Sequence, residues 1–132
     1  MTKDARSVAL VGLGVVLALV SNTAALSAAK PESSVKKIFY QLLSAIQATD
    51  REAFVAEATD RVKKEITQKF MEKVHKLMGS RLKKGYEATY LGQLKKQEYQ
   101  VHLWKVTFKD NGDDYLIRVA LKDGKMATFN LW

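Results

Sequence analysis

The sequence predicts an α+β domain, with helices packed on one face of a four-stranded antiparallel sheet. Three observations carry that prediction. Apolar residues recur at helical spacing from Val35 to Leu77. After Gly85 the period changes to strict alternation. Asn111-Gly112 and Asp123-Gly124 then punctuate the alternating stretch as hairpin turns. Helices first and a strand meander afterwards read as α+β rather than as alternating βαβ units.

The helices follow in order. Pro31-Glu32-Ser33-Ser34 is an entry sequence with a serine cap. Val35, Ile38, Phe39, Leu42, Leu43 and Ile46 then fall on one stripe of a first helix of roughly four turns. Thr49 with Glu52 has capping-box spacing for a short second helix from Arg51 to about Ala58, burying Phe54 and Val55. A third helix is expected from Thr59-Asp60 to about Leu82, with Val62, Ile66, Phe70, Val74 and Leu77 as its buried stripe.

Four strands are expected at Tyr86 to Leu94, Tyr99 to Lys109, Tyr115 to Lys122 and Lys125 to Trp132. A two-residue turn at Asn111-Gly112 sets Phe108 opposite Tyr115 and Trp104 opposite Val119. A three-residue loop Lys122-Asp123-Gly124 sets Val119 opposite Ala127 and Ile117 opposite Phe129. The inner face is then Trp104, Val106, Phe108, Tyr115, Ile117, Val119, Ala127, Phe129 and Leu131.

Ahead of this domain lies a segment of different character. Met1 to Arg6 is polar and carries Lys3 and Arg6, Val8 to Val20 is apolar or glycine, and Ala24 to Ala29 is small. That order is the pattern of a secretory signal, so residues 1–29 are expected to direct export to the periplasm or beyond. The apolar core of 13 residues spans about 20 Å as a helix, short of a ~30 Å hydrocarbon layer. The whole uncharged stretch from Ser7 to Ala29 is longer, and a retained membrane anchor is the alternative. Residues 30–132 then form a single domain.

The chain holds 22 Lys and Arg against 14 Asp and Glu, a net of +8. Residues 1–29 contain only Lys3, Arg6 and Asp4 of these, so the remainder carries +7. Acidic partners of three kinds fit such a charge: nucleic acid, anionic lipid and envelope polymer. Lys69, Lys73 and Lys76 form a stripe on the third helix, but Glu65 and Glu72 stand four residues before Lys69 and Lys76 and neutralise part of it. Aromatic residues do not interleave with these lysines, which argues against nucleic acid and leaves a weak contact with an anionic membrane or envelope polymer. With no cysteine, packing alone must hold the fold.

Gln47 to Phe54 (Gln-Ala-Thr-Asp-Arg-Glu-Ala-Phe) resembles the break between the first two helices of the NTF2-like superfamily, the SnoaL-like or cystatin-like α+β roll. Trp104 to Phe108 and Asp123 to Met126 are similar to its late strands. The resemblance covers about residues 33–132. It implies a curved sheet wrapped round the helices, a cone with a pocket at its wide end, and dimerisation through the outer sheet face. On that face Leu103, Leu116 and Ala120 would lie among Lys105 and Arg118. Catalytic members place a carboxylate or an Asp/His pair inside the cone. Here no Asp or Glu falls on the predicted inner face of strands two to four, and the aspartates at 110, 113, 114 and 123 sit in turns.

Candidate chemistry is sparse. His102 falls on the face of Trp104, near the rim and opposite Leu121, where an imidazole could act as acid or base near neutral pH. A partly buried rim histidine is the plain structural alternative. His75 is expected on the polar, solvated side of the third helix. Tyr86 and Tyr90 share a face of the first strand, and would join His102, Trp104 and Tyr115 around the cone mouth as a pocket for a small amphipathic molecule. Two histidines and no cysteine give no metal-ligand spacing, and no motif for a cofactor, a phosphate loop or a nucleophile elbow is present. The expected role is therefore a non-catalytic exported domain that binds a small apolar ligand or a partner protein. A small lyase, isomerase or hydrolase using His102 is the rival expectation, and a structural or dimerisation module of the envelope is the third.

Overall fold

The computed structural model describes residues 30–132, so the expected export segment lies outside the described residues. Helix α1 (Ser33–Ala48) buries the predicted stripe from Val35 to Ile46, with Phe39, Leu43 and Ile46 fully inaccessible. Its N-cap is Glu32 and makes no side-chain cap, in place of the expected serine. Thr49 takes the left-handed conformation and closes α1. That conformation removes it from the capping role, which Asp50 takes instead by accepting from the Ala53 amide at 3.1 Å. Helix α2 (Arg51–Val55) is shorter than the expected span to Ala58, and Phe54 and Val55 are buried as predicted.

The expected third helix is three. Helix α3 (Asp60–Glu65) starts at its Thr59 cap and ends where Ile66 turns extended, at φ −80° and ψ 117°. Arg51 holds that break, its guanidinium donating to the carbonyls of Lys63 and Ile66 at the open end of α3. Thr67 then caps helix α4 (Gln68–Val74), accepting from the Phe70 amide at 3.1 Å. A π-helical turn (His75–Gly79) leads into helix α5 (Ser80–Lys84).

The break and the wide turn each change the helical phase. Met71, Met78 and Leu82 reach the core, while Leu77, expected inside, is 50% exposed. Gly79 makes the wide turn feasible, since a Cβ there would overlap the His75 ring. His75 is accordingly half-buried rather than on a fully solvated side. Its Nδ1–H donates to the Ile46 carbonyl at 2.9 Å, tying the turn to the end of α1.

The sheet is a meander in the order β1 (Tyr86–Lys96), β2 (Tyr99–Phe108), β3 (Tyr115–Lys122), β4 (Lys125–Leu131), antiparallel throughout. The β2–β3 register differs by two residues from expectation. Val106 pairs with Tyr115, Trp104 with Ile117 and His102 with Val119. A two-residue slip keeps every side chain on its predicted face. Its cause is the loop 109–114, longer than a two-residue turn and held by Arg81. That guanidinium binds both Asp110 oxygens, at 2.8 and 3.2 Å, and the Asp113 carbonyl at 2.7 Å. It also lies 3.9 Å over the Phe108 ring.

The β3–β4 connection is a two-residue turn, Asp123-Gly124, with both residues at positive φ, rather than the expected three-residue loop. A bulge compensates. Ala120 pairs with Thr128 and Leu121 with Met126, so Ala127 is the extra residue, and Met126 and Ala127 are both buried. Val119 therefore faces Phe129 and Ile117 faces Leu131.

The helices cover one face of this sheet. Phe39 of α1 stacks on Trp104 at 4.0 Å, Phe54 of α2 meets Phe129 edge-on at 5.3 Å, and α5 places Arg81 on Phe108. No helix among the described residues is long and apolar enough to cross a membrane.

Candidate functional site

The inner and outer faces of the sheet offer different chemistry. On the inner face, alternation along β2 brings His102 and Trp104 to the helix side, and Tyr90 arrives from β1, where it pairs with Trp104. Immediately after Tyr90 the ladder shifts register, leaving Leu91 unpaired and 50% exposed. His102 is buried rather than at a rim, 2% exposed. Its Nδ1 and the Tyr90 hydroxyl are 2.9 Å apart in a hydrogen bond. Its Nε2 is buried with no hydrogen-bond partner. Burial pushes the imidazole pKa down, against an opposing pull from Glu32 at the N-cap of α1. Burial likewise raises the Tyr90 and Tyr86 hydroxyls, with Glu32 adding to the first and Tyr40 to the second. At neutral pH this is a neutral His–Tyr pair.

Three of the expected pocket residues come together. Tyr90 meets Trp104 edge-on at 5.2 Å, and the centroids of Tyr90 and Trp104 lie 5.9 and 6.0 Å from that of His102. Trp104 has its other contact in the Phe39 stack. Tyr86 sits further along β1, opposite Phe108. Tyr115 does not join the group. It packs edge-on against Phe108 at 5.7 Å, beside Arg81. Tyr115 pairs with Val106 on β2, two residues nearer Trp104 than expected, yet its ring packs on Phe108.

Among the described residues, no group of three or more His, Asp, Glu or Cys side chains is placed to hold a metal ion. His102 is hydrogen-bonded to a tyrosine rather than to a carboxylate. Among the described residues no carboxylate hydrogen-bonds it to orient it as a general base.

The outer face follows from the same registers. Across the four strands one row reads Leu94, Val101, Ala120, Thr128; the next centres on Leu103, Arg118 and Asn130; a third carries Lys105 and Leu116. Trp132 closes that third row, exchanging backbone hydrogen bonds with Leu116 at 2.7 and 2.9 Å. Leu94 is 53% and Trp132 86% exposed. Between the rows run clefts of about 360 Å³, beside Leu94, Val101 and Arg118, and about 510 Å³, beside Leu91, Leu116 and Trp132. Sequence reasoning placed Leu103, Leu116, Ala120, Lys105 and Arg118 on this face. It missed Leu94, which the β1 bulge sets beside Val101, and Trp132. The glycine at 92 was the one available signal for the bulge.

No family model and no curated protein matches the chain. Among solved structures it is similar to an uncharacterized cystatin-fold protein from Novosphingobium aromaticivorans. That match has 13% identity and a TM-score of 0.38, covering 77% of this chain and 99% of the other. It is also similar to an NTF2-like protein of unknown function from Cytophaga hutchinsonii, at 7% identity and a TM-score of 0.40, covering 79% of this chain and 93% of the other. The element order itself, helices followed by a four-stranded antiparallel meander with its inner face on α1, is an α+β fold.

Proposed function

We propose that this domain is a non-catalytic binding module that engages a partner protein through the outer face of its sheet. The carrying observation is the contrast between the two faces. The inner aromatic residues satisfy one another, Trp104 between Phe39 and Tyr90, and Tyr115 against Phe108. The outer face presents Leu94 and Trp132 to solvent beside open clefts. Exposed leucine and tryptophan with a central arginine is the composition of a protein-binding surface. Export, the reading of residues 1–29, would put that partner in the cell envelope.

One observation favours a second reading, a small-molecule site or hydrolytic centre at His102. Its Nε2 is buried and unpartnered, and such a nitrogen calls for a water or a ligand. Photo-cross-linking in the native host separates the two. A cross-linking amino acid at Leu103 is expected to capture one defined protein, and the same amino acid at Tyr90 none. Capture from position 90 alone, or a small molecule retained through it, would move the function to the inner face.

A further inference from the structure

We infer that the outer-face cleft beside Arg118 recognises a carboxylate side chain of the partner, set within an apolar segment. This rests on the outer-face reading above and names the chemistry that the face would accept. Arg118 stands at the centre of the face. Its β-sheet neighbours are Leu103 on one side and Asn130 on the other, with Leu116 and Ala120 two residues away along its own strand. It is exposed, and the hydrogen bond it makes is a 3.3 Å contact from its guanidinium to the Asn130 side-chain oxygen. Among the described residues no carboxylate pairs with it, whereas Arg51, Arg61 and Arg81 each have one. A guanidinium offers five donors in a planar fork, and a single amide oxygen leaves most of them available for bidentate contact with a carboxylate.

The surroundings select what carries that carboxylate. The same face holds Lys96, Lys105 and Lys122 against Glu87, and Glu98 answers Lys122 at 3.2 Å. Of these Lys96 lines the Arg118 cleft, and no carboxylate does, so the charge there is positive. Asp113 and Asp114 lie at the other cleft, beside Trp132, so an acidic segment is steered toward the Arg118 side. The floor between the cations is apolar, formed by Val101 and Ala120 with Leu94 as an exposed wall. A free inorganic anion would leave that floor unused, and a concave cleft suits a side chain better than a planar lipid surface. A second copy of this chain is disfavoured for the same reason as an acidic partner is favoured. A two-fold contact through this face would set its excess of cations against itself.

The test uses the full chain and three N-acetylated heptapeptides that share apolar flanks and carry Glu, Gln or Lys at the centre. Backbone and Arg118 Nε–Hε resonances are followed by NMR as each peptide is raised into the millimolar range. The Glu peptide is expected to move the signals of Arg118, Val101 and Ala120 and to bind about tenfold more tightly than the Gln peptide, the preference falling as salt rises. Arg118→Gln should abolish the preference while leaving the thermal midpoint unchanged. Equal binding of the Glu and Gln peptides, a preference that survives Arg118→Gln, or shifts produced only by phosphatidylglycerol vesicles would overturn the inference. Capture from Leu103 in the wild-type chain alongside equal wild-type binding of the Glu and Gln peptides would remove the carboxylate recognition and leave the docking face standing. Absence of capture from Leu103 in the wild-type chain, together with equal peptide binding, would remove the docking face itself.

Discussion

His102→Leu is the substitution whose effect the inner face predicts most sharply. The imidazole is 2% exposed, bonded through Nδ1 to Tyr90 and unpartnered at Nε2. Its pKa is lowered by burial below the ordinary histidine value. The unfolded chain therefore binds a proton near pH 6.5 that the folded chain refuses, and folding loses free energy as pH falls from about 6.5 toward the folded pKa. Across that window the histidine alone contributes a slope of up to about 1.4 kcal/mol per pH unit. Above pH 7 the contribution is flat.

The substitution also changes stability where pH plays no part. It gives up one hydrogen bond, worth about 0.5–1.5 kcal/mol, and removes an unsatisfied buried nitrogen that costs about 1–3 kcal/mol. At pH 8 the variant is thus expected to equal the wild type or exceed it by about 1 kcal/mol, and the gap should widen on acidification. Urea unfolding at pH 8, 7, 6 and 5 measures this, followed by Trp104 fluorescence in a Trp132→Phe background. Only Trp104 is buried, so its emission reports the core. Glu32→Gln should deepen the acid slope, since Glu32 is the charge that favours the protonated form. Parallel curves for wild type and His102→Leu across that pH range would refute the buried neutral imidazole.

Other perturbations follow from the same packing. Phe39→Ala removes a fully buried ring stacked on Trp104 and should cost about 3–5 kcal/mol in urea unfolding, a large part of a domain's total stability. Gly79→Ala should be destabilising because its Cβ meets the His75 ring, and His75→Ala in the same chain should recover part of the loss, which a double-mutant cycle measures. The Asp110 carboxyl, held at about 2 by Arg81 and then by the Gly112 amide, should titrate there by carbonyl-carbon NMR. Arg81→Gln should return it toward its ordinary value. Stability linked to Asp110 is present above its unfolded value near 4 and fades as pH falls toward 2.

What the sequence disclosed and what it hid divide along physical lines. The α1 stripe and the face of each strand residue were legible because they depend only on period, and burial fixed them. Val106, Ile117 and Val119 are buried on the face that alternation assigned. The register at Asn111-Gly112 was not legible, because the loop length is set by Arg81, a residue on a helix 29 positions earlier in the chain. The break at Ile66-Thr67 was hidden for the same reason, since Arg51 stabilises it from α2. Period alone also could not anticipate the wide turn at His75–Gly79. It depends on an imidazole lying flat against a glycine four residues on, and it exchanged Leu77 for Met78 in the core.

At the site, alternation correctly put His102 and Trp104 together but could not say that Tyr90 would satisfy the imidazole. Tyr115 packs on Phe108 beside Arg81, a choice of neighbour that alternation, which fixes only its face, does not disclose. The outer face was underestimated because the bulge at Leu91 brings Leu94 into line with Val101, a shift the alternating pattern conceals.

The function of the domain turns on which face of the sheet does the binding. The most direct measurement is the affinity of the protein cross-linked from Leu103 for two variants of the full chain. Leu103→Glu replaces an apolar side chain of the outer face with a carboxylate beside Arg118, whereas Tyr90→Phe removes the inner hydroxyl and nothing from the outer face. The prediction is a loss of at least about tenfold for the first and no change for the second. Unchanged affinity in Leu103→Glu, with loss in Tyr90→Phe, would contradict it.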